Sequence, residues 1–266
     1  MQPMQSLQVI KLGGASLEEN LRQIASVLAA TDSPRVIVHG GGPQVSAMAS
    51  RLGIPTQKVA GRRVTDEVTL DVVLMVLAGL VHNRVVGTLV ASGVPAVGIA
   101  GPSVLRARRR PPIEIDGETV DFGLVGEIER VEVGPIRALL ERGDIPIIPS
   151  IAGGNDGMLF NVNADTVAAR VAVELGAHEL IQVTDSGGVR EVNDSVIQDL
   201  DLAETRRLIS EGIATDGMRP KLETAMWALR SGVPRVRIVG AGGIGVPDGG
   251  TVLTAFGVAL TSPDQS

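Results

Sequence analysis

Along this chain, short runs that are apolar throughout alternate with longer stretches whose apolar positions recur every three or four residues. The runs Leu7–Leu12, Arg35–His39, Val94–Ile99, Ile145–Ser150, Leu180–Thr184, Arg235–Val239 and Thr251–Ala255 predict strands. The periodic stretches predict helices over Leu17–Ala30, Pro43–Leu52, Thr69–Ser92, Pro135–Glu141, Thr166–Leu175, Leu202–Glu211 and Lys221–Ser231. Strands with no polar alternation are covered on both faces, so the pattern predicts an α/β fold: a mostly parallel central sheet in a three-layer α/β/α sandwich. Two stretches break the rhythm. Ile113–Val133 reads as hairpin material with a tight turn at Asp116-Gly117, and Lys58–Val64 as a shorter hairpin. Insertions of this kind form walls or lids over a site. A change of character between Glu174 and Glu179 divides the chain into two lobes, 1–177 and 178–266, that share one sheet. The helix over Thr69–Ser92 is too apolar for one buried face: it is either buried within the monomer or packed against a second copy, and a homodimer through it is the expectation.

Composition narrows the function. The 266 residues carry a formal net charge of −6, with 2% aromatic residues, one Trp and no Tyr. No basic face and no base-stacking platform are implied, which argues against nucleic acid. The basic run Arg106, Arg108, Arg109, Arg110 beside Pro111 and Pro112 reads as a solvated loop or as a mouth that attracts anions. There is no Cys, which suits a reducing compartment. Met1–Leu7 lacks the charged and apolar regions of a secretion signal, and Leu70–Leu80 reads as too short and too interrupted to span a bilayer. The expected location is the cytoplasm, with no membrane partner.

Five segments carry candidate chemistry. Lys11-Leu12-Gly13-Gly14 follows the first strand, where ligands of parallel sheets bind and where glycines let phosphate oxygens approach the backbone. His39-Gly40-Gly41-Gly42-Pro43 precedes a helix whose N-terminus offers N–H donors to an anion. In Asn161-Val162-Asn163-Ala164-Asp165, alternation along an extended segment would place Asn161, Asn163 and Asp165 on one side; Asp165 also reads as a helix cap. In Gly217-Met218-Arg219-Pro220-Lys221 a lysine sits in a first helical turn, against the dipole, a conflict that an anion would remove. Thr184, Asp185, Ser186, Gly187, Gly188 and Val189 form a further strand end that can border a nucleotide or simply turn. His39, His82 and His178 form no close motif, and no metal-ligand spacing is present. Two lysines, a triple glycine and an Asn/Asp cluster suit phosphoryl transfer, in which the protein aligns reactants and stabilises dispersed negative charge. Any Mg²⁺ would arrive with a nucleotide and be held by its phosphates and water.

In this order and spacing these motifs, with Gly61-Arg62-Arg63-Val64-Thr65-Asp66 and Gly123-Leu124-Val125-Gly126, resemble the amino-acid kinase superfamily, and within it the acetylglutamate kinases, from about Val9 to Val252. The resemblance implies ATP as phosphoryl donor and N-acetyl-L-glutamate as acceptor, in the second step of arginine biosynthesis. By resemblance, Lys11 and Lys221 stabilise the transferring phosphoryl group and Asp165 holds both. Gly13, Gly14, Gly41 and Gly42 supply main-chain donors. Arg63 takes the acceptor's α-carboxylate and Asn161 its acetylated end. Thr184–Val189, with Ile213, Ala214 and Thr215, line the nucleotide, so that 1–177 is the acceptor lobe and 178–266 the nucleotide lobe. A forked guanidinium suits a carboxylate better than an ammonium does, whereas Arg62 reads as a hairpin-surface charge. Two departures stand out. Gly240–Gly250 replaces a helix usual in the family. The chain also begins almost at its first strand, without the extra helix of arginine-inhibited hexamers, which implies a dimer without arginine feedback. A kinase acting on carrier-protein-bound aminoadipate or glutamate, and a catalytically silent sensor of amino acid or nucleotide, are the alternatives.

Overall fold

The computed structural model describes residues 6–256 apart from 15, 16, 32, 116, 192, 215 and 216. In chain order its strands are β1 (Gln8–Leu12), β2 (Arg35–His39), β3 (Lys58–Val59), β4 (Arg62–Arg63), β5 (Ala96–Gly98), β6 (Leu105–Arg109), β7 (Ile113–Ile115), β8 (Glu118–Val120), β9 (Gly126–Val131), β10 (Ile145–Pro149), β11 (Ile151–Gly153), β12 (Leu159–Asn161), β13 (Glu179–Val183), β14 (Asp199–Leu200), β15 (Arg235–Val239) and β16 (Thr251–Thr254). The helices are α1 (Leu17–Ala29), α2 (Gly42–Arg51), α3 (Glu67–Ala91), α4 (Gly101–Val104), α5 (Val133–Glu141), α6 (Ala164–Leu175), α7 (Leu202–Ser210) and α8 (Arg219–Arg230).

Eight strands form the central sheet in the order β14-β16-β15-β13-β1-β2-β10-β5, with every pair parallel except β15–β16. Strand side chains alternate between its faces. Ile10, Leu12, Ile37 and Ile147 join the core under α1, α2 and α3. Val9, Val36, Val38 and Ile148 join the core under α5, α6, α7 and α8. The parity of β1 therefore sends Lys11 toward the α6–α8 face. Because β1, β2, β13 and β15 are parallel and in register, Leu12, His39, Val183 and Val239 end at the same sheet edge.

Several elements differ from the sequence reading. The arginine run is no loop: Leu105–Arg109 is β6, in a second sheet of order β12-β11-β6-β9, antiparallel to β9. Pairing with β9 and the burial of Leu105 and Ala107 outweigh its charge. Residues 113–133 hold both the short β7–β8 hairpin and β9. The expected turn falls at Gly117, φ +83°, while Asp116 lies outside the described residues. The apolar helix starts two residues early because the Asp66 carboxylate accepts from Thr69 N–H at 2.8 Å. It runs for 25 residues, close to the expected extent, and as a whole, unlike the Leu70–Leu80 segment taken alone, it is long and apolar enough to cross a membrane by length and composition alone. Here Val72, Val73, Val76, Leu77, Val81, Val85 and Leu89 are buried in the core, while Val68, Met75, Leu80 and Val90 remain exposed. Its middle, Leu74–Val81, is π-helical.

The shortened segment after β15 is a 3₁₀ turn, Ala241–Gly243, fastened by a buried arginine. Arg237 is 1% exposed and donates from Nε to Glu179 at 2.7 Å. Its other nitrogens donate to the carbonyls of Gly243, Ile244 and Val246. One side chain thus satisfies three carbonyls that a helix would have bonded internally. Arg237→Met leaves Glu179 with Arg235 at 3.2 Å and Gln8 at 2.7 Å but strips three carbonyls of their donor, and loss of one member of a buried pair costs up to ~3–5 kcal/mol. Urea unfolding should show a destabilisation on that scale; a loss below ~1 kcal/mol would mean the network does not hold the fold.

Candidate active site

Lys11, second-last in β1, is 5% exposed, and its Nζ lies 3.0 Å from Asp165 Oδ1. Asp165 stands in the first turn of α6 and is 6% exposed. Lys221, in the first turn of α8, reaches both Asp165 oxygens at 3.2 Å. Residues 11, 165 and 221 thus converge on one carboxylate. The conflict of Lys221 with its helix dipole is relieved from within the protein, by Asp165.

The alternation expected for residues 161–165 does not occur. Asn161 ends β12, and Asn163 is the N-cap of α6, its side chain accepting from Asp165 N–H at 2.8 Å and Thr166 N–H at 3.2 Å. Helix geometry replaces strand geometry after Asn163, so Asn163 does the capping and Asp165 is free to turn inward. The segment is pinned above the sheet edge by Val162 N–H to Ser150 O, 3.1 Å, and Asn161 N–H to Leu124 O, 3.0 Å.

Electrostatics follow from burial. Desolvation lowers the Lys11 pKa from 10.5 to about 8; Asp165 works against that fall and Lys221 adds to it. Burial works to raise the Asp165 carboxyl, and the two ammonium groups together outweigh it and hold it below the usual carboxylate range.

A cleft of about 840 Å³ opens here, bordered by Lys11, Asp165, Gly13, Gly14, Gly41, Gly42, Arg63 and Asn161. A Cβ at Gly13 would stand 2.6 Å from Lys11 Nζ, so a side chain there would displace the ammonium. Gly14, φ +105°, passes against the Asp185 carboxylate, 2.7 Å from where its Cβ would be. Arg63 is buried; its Nη2 donates to Gly42 O at 3.0 Å and Ser46 Oγ at 2.8 Å, and its Nη1 is buried with no hydrogen-bond partner among the described residues. Asn161 Nδ2 donates to the buried Thr65 hydroxyl at 3.1 Å.

The strand end after β13 lies apart. Thr184 and Asp185 border a small neighbouring pocket that shares Gly13 with the large cleft. Ser186 Oγ donates to Gly188 O at 2.8 Å, and Val189 N–H to Thr251 Oγ1 at 2.8 Å. Ile213 is half-buried, Ala214 is buried, and neither borders the cleft; Thr215 lies outside the described residues.

Some features escaped the sequence. His39 and His82 form a close pair, Nε2 to Nδ1 at 3.0 Å. Burial pushes the His39 pKa down to about 4, so the ring is neutral. Its Nδ1 lies 3.0 Å from Gly40 O, which can only accept. Nδ1 therefore carries the proton, and Nε2 accepts from His82. Arg62 is half-buried rather than a surface charge, and it borders the cleft with Arg108 and Arg110. Among the described residues no group of three or more His, Asp or Glu is placed to hold a metal.

This geometry accompanies a match of residues 6–240 to the amino acid kinase family. The chain belongs to the amino acid kinase family. Over 244 residues, 87% of this kinase and 86% of the relative, it is 46% identical to the acetylglutamate kinase of Sorangium cellulosum. It is 40% identical over 243 residues to that of Methylobacterium nodulans, covering 80% of that protein. A solved N-acetylglutamate synthase from Neisseria gonorrhoeae, complexed with coenzyme A and N-acetyl-glutamate, superposes with a TM-score of 0.81 at 28% identity, over 94% of this chain and 59% of that one.

Asp165 is the group that raises the Lys11 pKa. In Asp165→Asn this kinase should therefore show Lys11 losing its proton below pH 8, followed by NMR of the lysine ammonium nitrogens. An unmoved titration would separate Asp165 from Lys11.

Proposed function

We propose that this protein transfers the γ-phosphoryl group of ATP to the side-chain carboxylate of N-acetyl-L-glutamate, giving ADP and N-acetyl-L-glutamyl 5-phosphate, the second step of arginine biosynthesis. The observation that carries the reading is the convergence of Lys11 and Lys221 on Asp165, which with Lys11 borders a glycine-lined cleft. The acceptor is already an anion, so no general base is needed. Asp165, the carboxylate at this point, is engaged by two ammonium groups and does not serve as one. A carboxylate oxygen attacks the γ-phosphorus as the bond to the leaving ADP oxygen breaks. Charge spreads over the phosphoryl oxygens, and the two lysines, one positive charge in excess of Asp165, stabilise it.

In this reading Arg63 grips the α-carboxylate with its unpartnered Nη1, Asn161 orients the acetylated end, and backbone N–H groups of Gly13, Gly14, Gly41 and Gly42 meet oxygens. Residues 1–177 hold the acceptor and 178–266 the nucleotide, through Thr184–Val189 and Ile213–Thr215. Asp165 is occupied and no carboxylate cage surrounds it among the described residues, so Mg²⁺ comes with the nucleotide, held by its phosphates and water. The enzyme works in the cytoplasm. The exposed Val68, Met75, Leu80 and Val90 of α3 pack against a second copy.

Lys11→Ala should lower kcat by ~10²–10³-fold, the scale of one lost oxyanion-type donor, whereas Arg63→Lys should raise the KM for acetylglutamate more than it lowers kcat. Turnover is followed by ADP release; a folded Lys11→Ala enzyme at full rate would remove the assignment. Met75→Glu should convert a dimer to a monomer in sedimentation, and an unchanged mass would place the interface elsewhere.

A further inference from the structure

The cleft holds more positive charge than acetylglutamate needs. Seven basic and four acidic side chains border it, in a chain of net charge −6. On the reading above, which this inference extends, the acceptor's two carboxylates go to Arg63 and to the Lys11–Lys221 pair. Arg108 is engaged by Glu127 at 3.1 Å and Glu129 at 3.7 Å, and Arg170 lies 4.7 Å over the Trp227 ring. Lys58, exposed on β3, and the half-buried Arg62 and Arg110 are left over, and of these the two forked guanidinium groups suit a carboxylate better than the ammonium does.

Arg62 precedes Arg63 in β4, so the two side chains leave the backbone in opposite directions and Arg62 does not duplicate the Arg63 position. Arg110 follows β6. Its backbone N–H is fixed to Val125 O at 2.8 Å, and its guanidinium stands 5.9 Å from the Phe122 ring centre. Its Nε is buried with no hydrogen-bond partner among the described residues. Neither arginine has an ion-pair partner among the described residues. Glu223, the acid whose charge acts on Arg62, is itself paired with Arg219 at 2.9 Å. Burial and then the charge of Arg110 push the Arg62 pKa down. Two half-buried guanidinium groups that repel one another, one with an orphaned donor, are what a bound carboxylate would satisfy.

We propose that Arg62 and Arg110 form a carboxylate subsite at the acceptor side of the cleft, so that this kinase takes N-acylglutamates whose acyl group bears a carboxylate of its own. The phosphoryl transfer is unchanged; only the acyl substituent differs.

The test compares three acceptors by ADP release: N-acetyl-L-glutamate, N-succinyl-L-glutamate and the neutral amide N-succinamoyl-L-glutamate. Wild type should use the succinyl compound with a KM no higher than that for acetylglutamate, and the amide should be at least tenfold poorer, the scale of one charged hydrogen bond. Arg62→Gln and Arg110→Gln should each raise the succinyl KM about tenfold or more and leave the acetyl KM within about threefold. That unchanged acetyl turnover also shows that the variants fold. The discrimination should persist at an ionic strength of about 0.5 M, where long-range steering is screened. Equal use of amide and acid, equal effects of the variants on both acceptors, or loss of discrimination in salt would overturn the subsite. Failure of the primary reading looks different: acetylglutamate would not be phosphorylated at all, while calorimetry would still show the variants weakening succinylglutamate binding.

Discussion

A single buried carboxylate ties the machinery together. Asp165 lies between two ammonium groups delivered by segments that are far apart in the chain, one on the sheet and one on a helix. Each partner makes the others tolerable: the lysines keep the acid ionised in a dry place, and the acid keeps two like charges within reach of one point. Take away the carboxylate and the lysines repel; take away the lysines and the carboxylate protonates. The surrounding architecture serves this arrangement. The parity of β1 aims Lys11 at the correct face, the Asn163 cap starts α6 where Asp165 turns inward, and Gly13 keeps the space for the ammonium empty.

Much of the fold was legible because fully apolar strands and periodic helices give strong local signals. The elements that went unread are those decided by tertiary pairing. Leu105–Arg109 carries three arginines and looks like a loop, yet its alternate apolar residues pack inward and β9 pairs with it. The glycine motifs and both lysines stand out by position alone. The histidine pair does not, since 43 residues separate its members. Residues 161–165 do not alternate because the backbone changes from extended to helical at Asn163, halfway through the motif. Arg62 was read as a surface charge because a two-residue strand gives no sign of what will stand across from it.

The insertions add walls to a cleft whose other sides are strand ends of the central sheet and the helices packed on it. Thr65 joins them: its N–H bonds Phe122 O at 2.9 Å, its carbonyl accepts from Leu124 N–H at 2.7 Å, and its hydroxyl accepts from Asn161. The loop after the small hairpin, the turn before β9 and the end of β12 therefore move as one piece, and Arg63 and Asn161 keep their relative positions without help from a ligand.

The π-helical stretch of α3 acts as a vernier. A wider turn accommodates an additional residue and shifts the angular phase of everything beyond it. Leu77 lies inside the stretch, against Gly41, and His82 follows it directly, beside His39. Both anchor points of the triple-glycine loop thus depend on a count of residues in a distant helix. Trimming that helix by one residue would re-phase His82 away from its partner while leaving the local composition almost untouched.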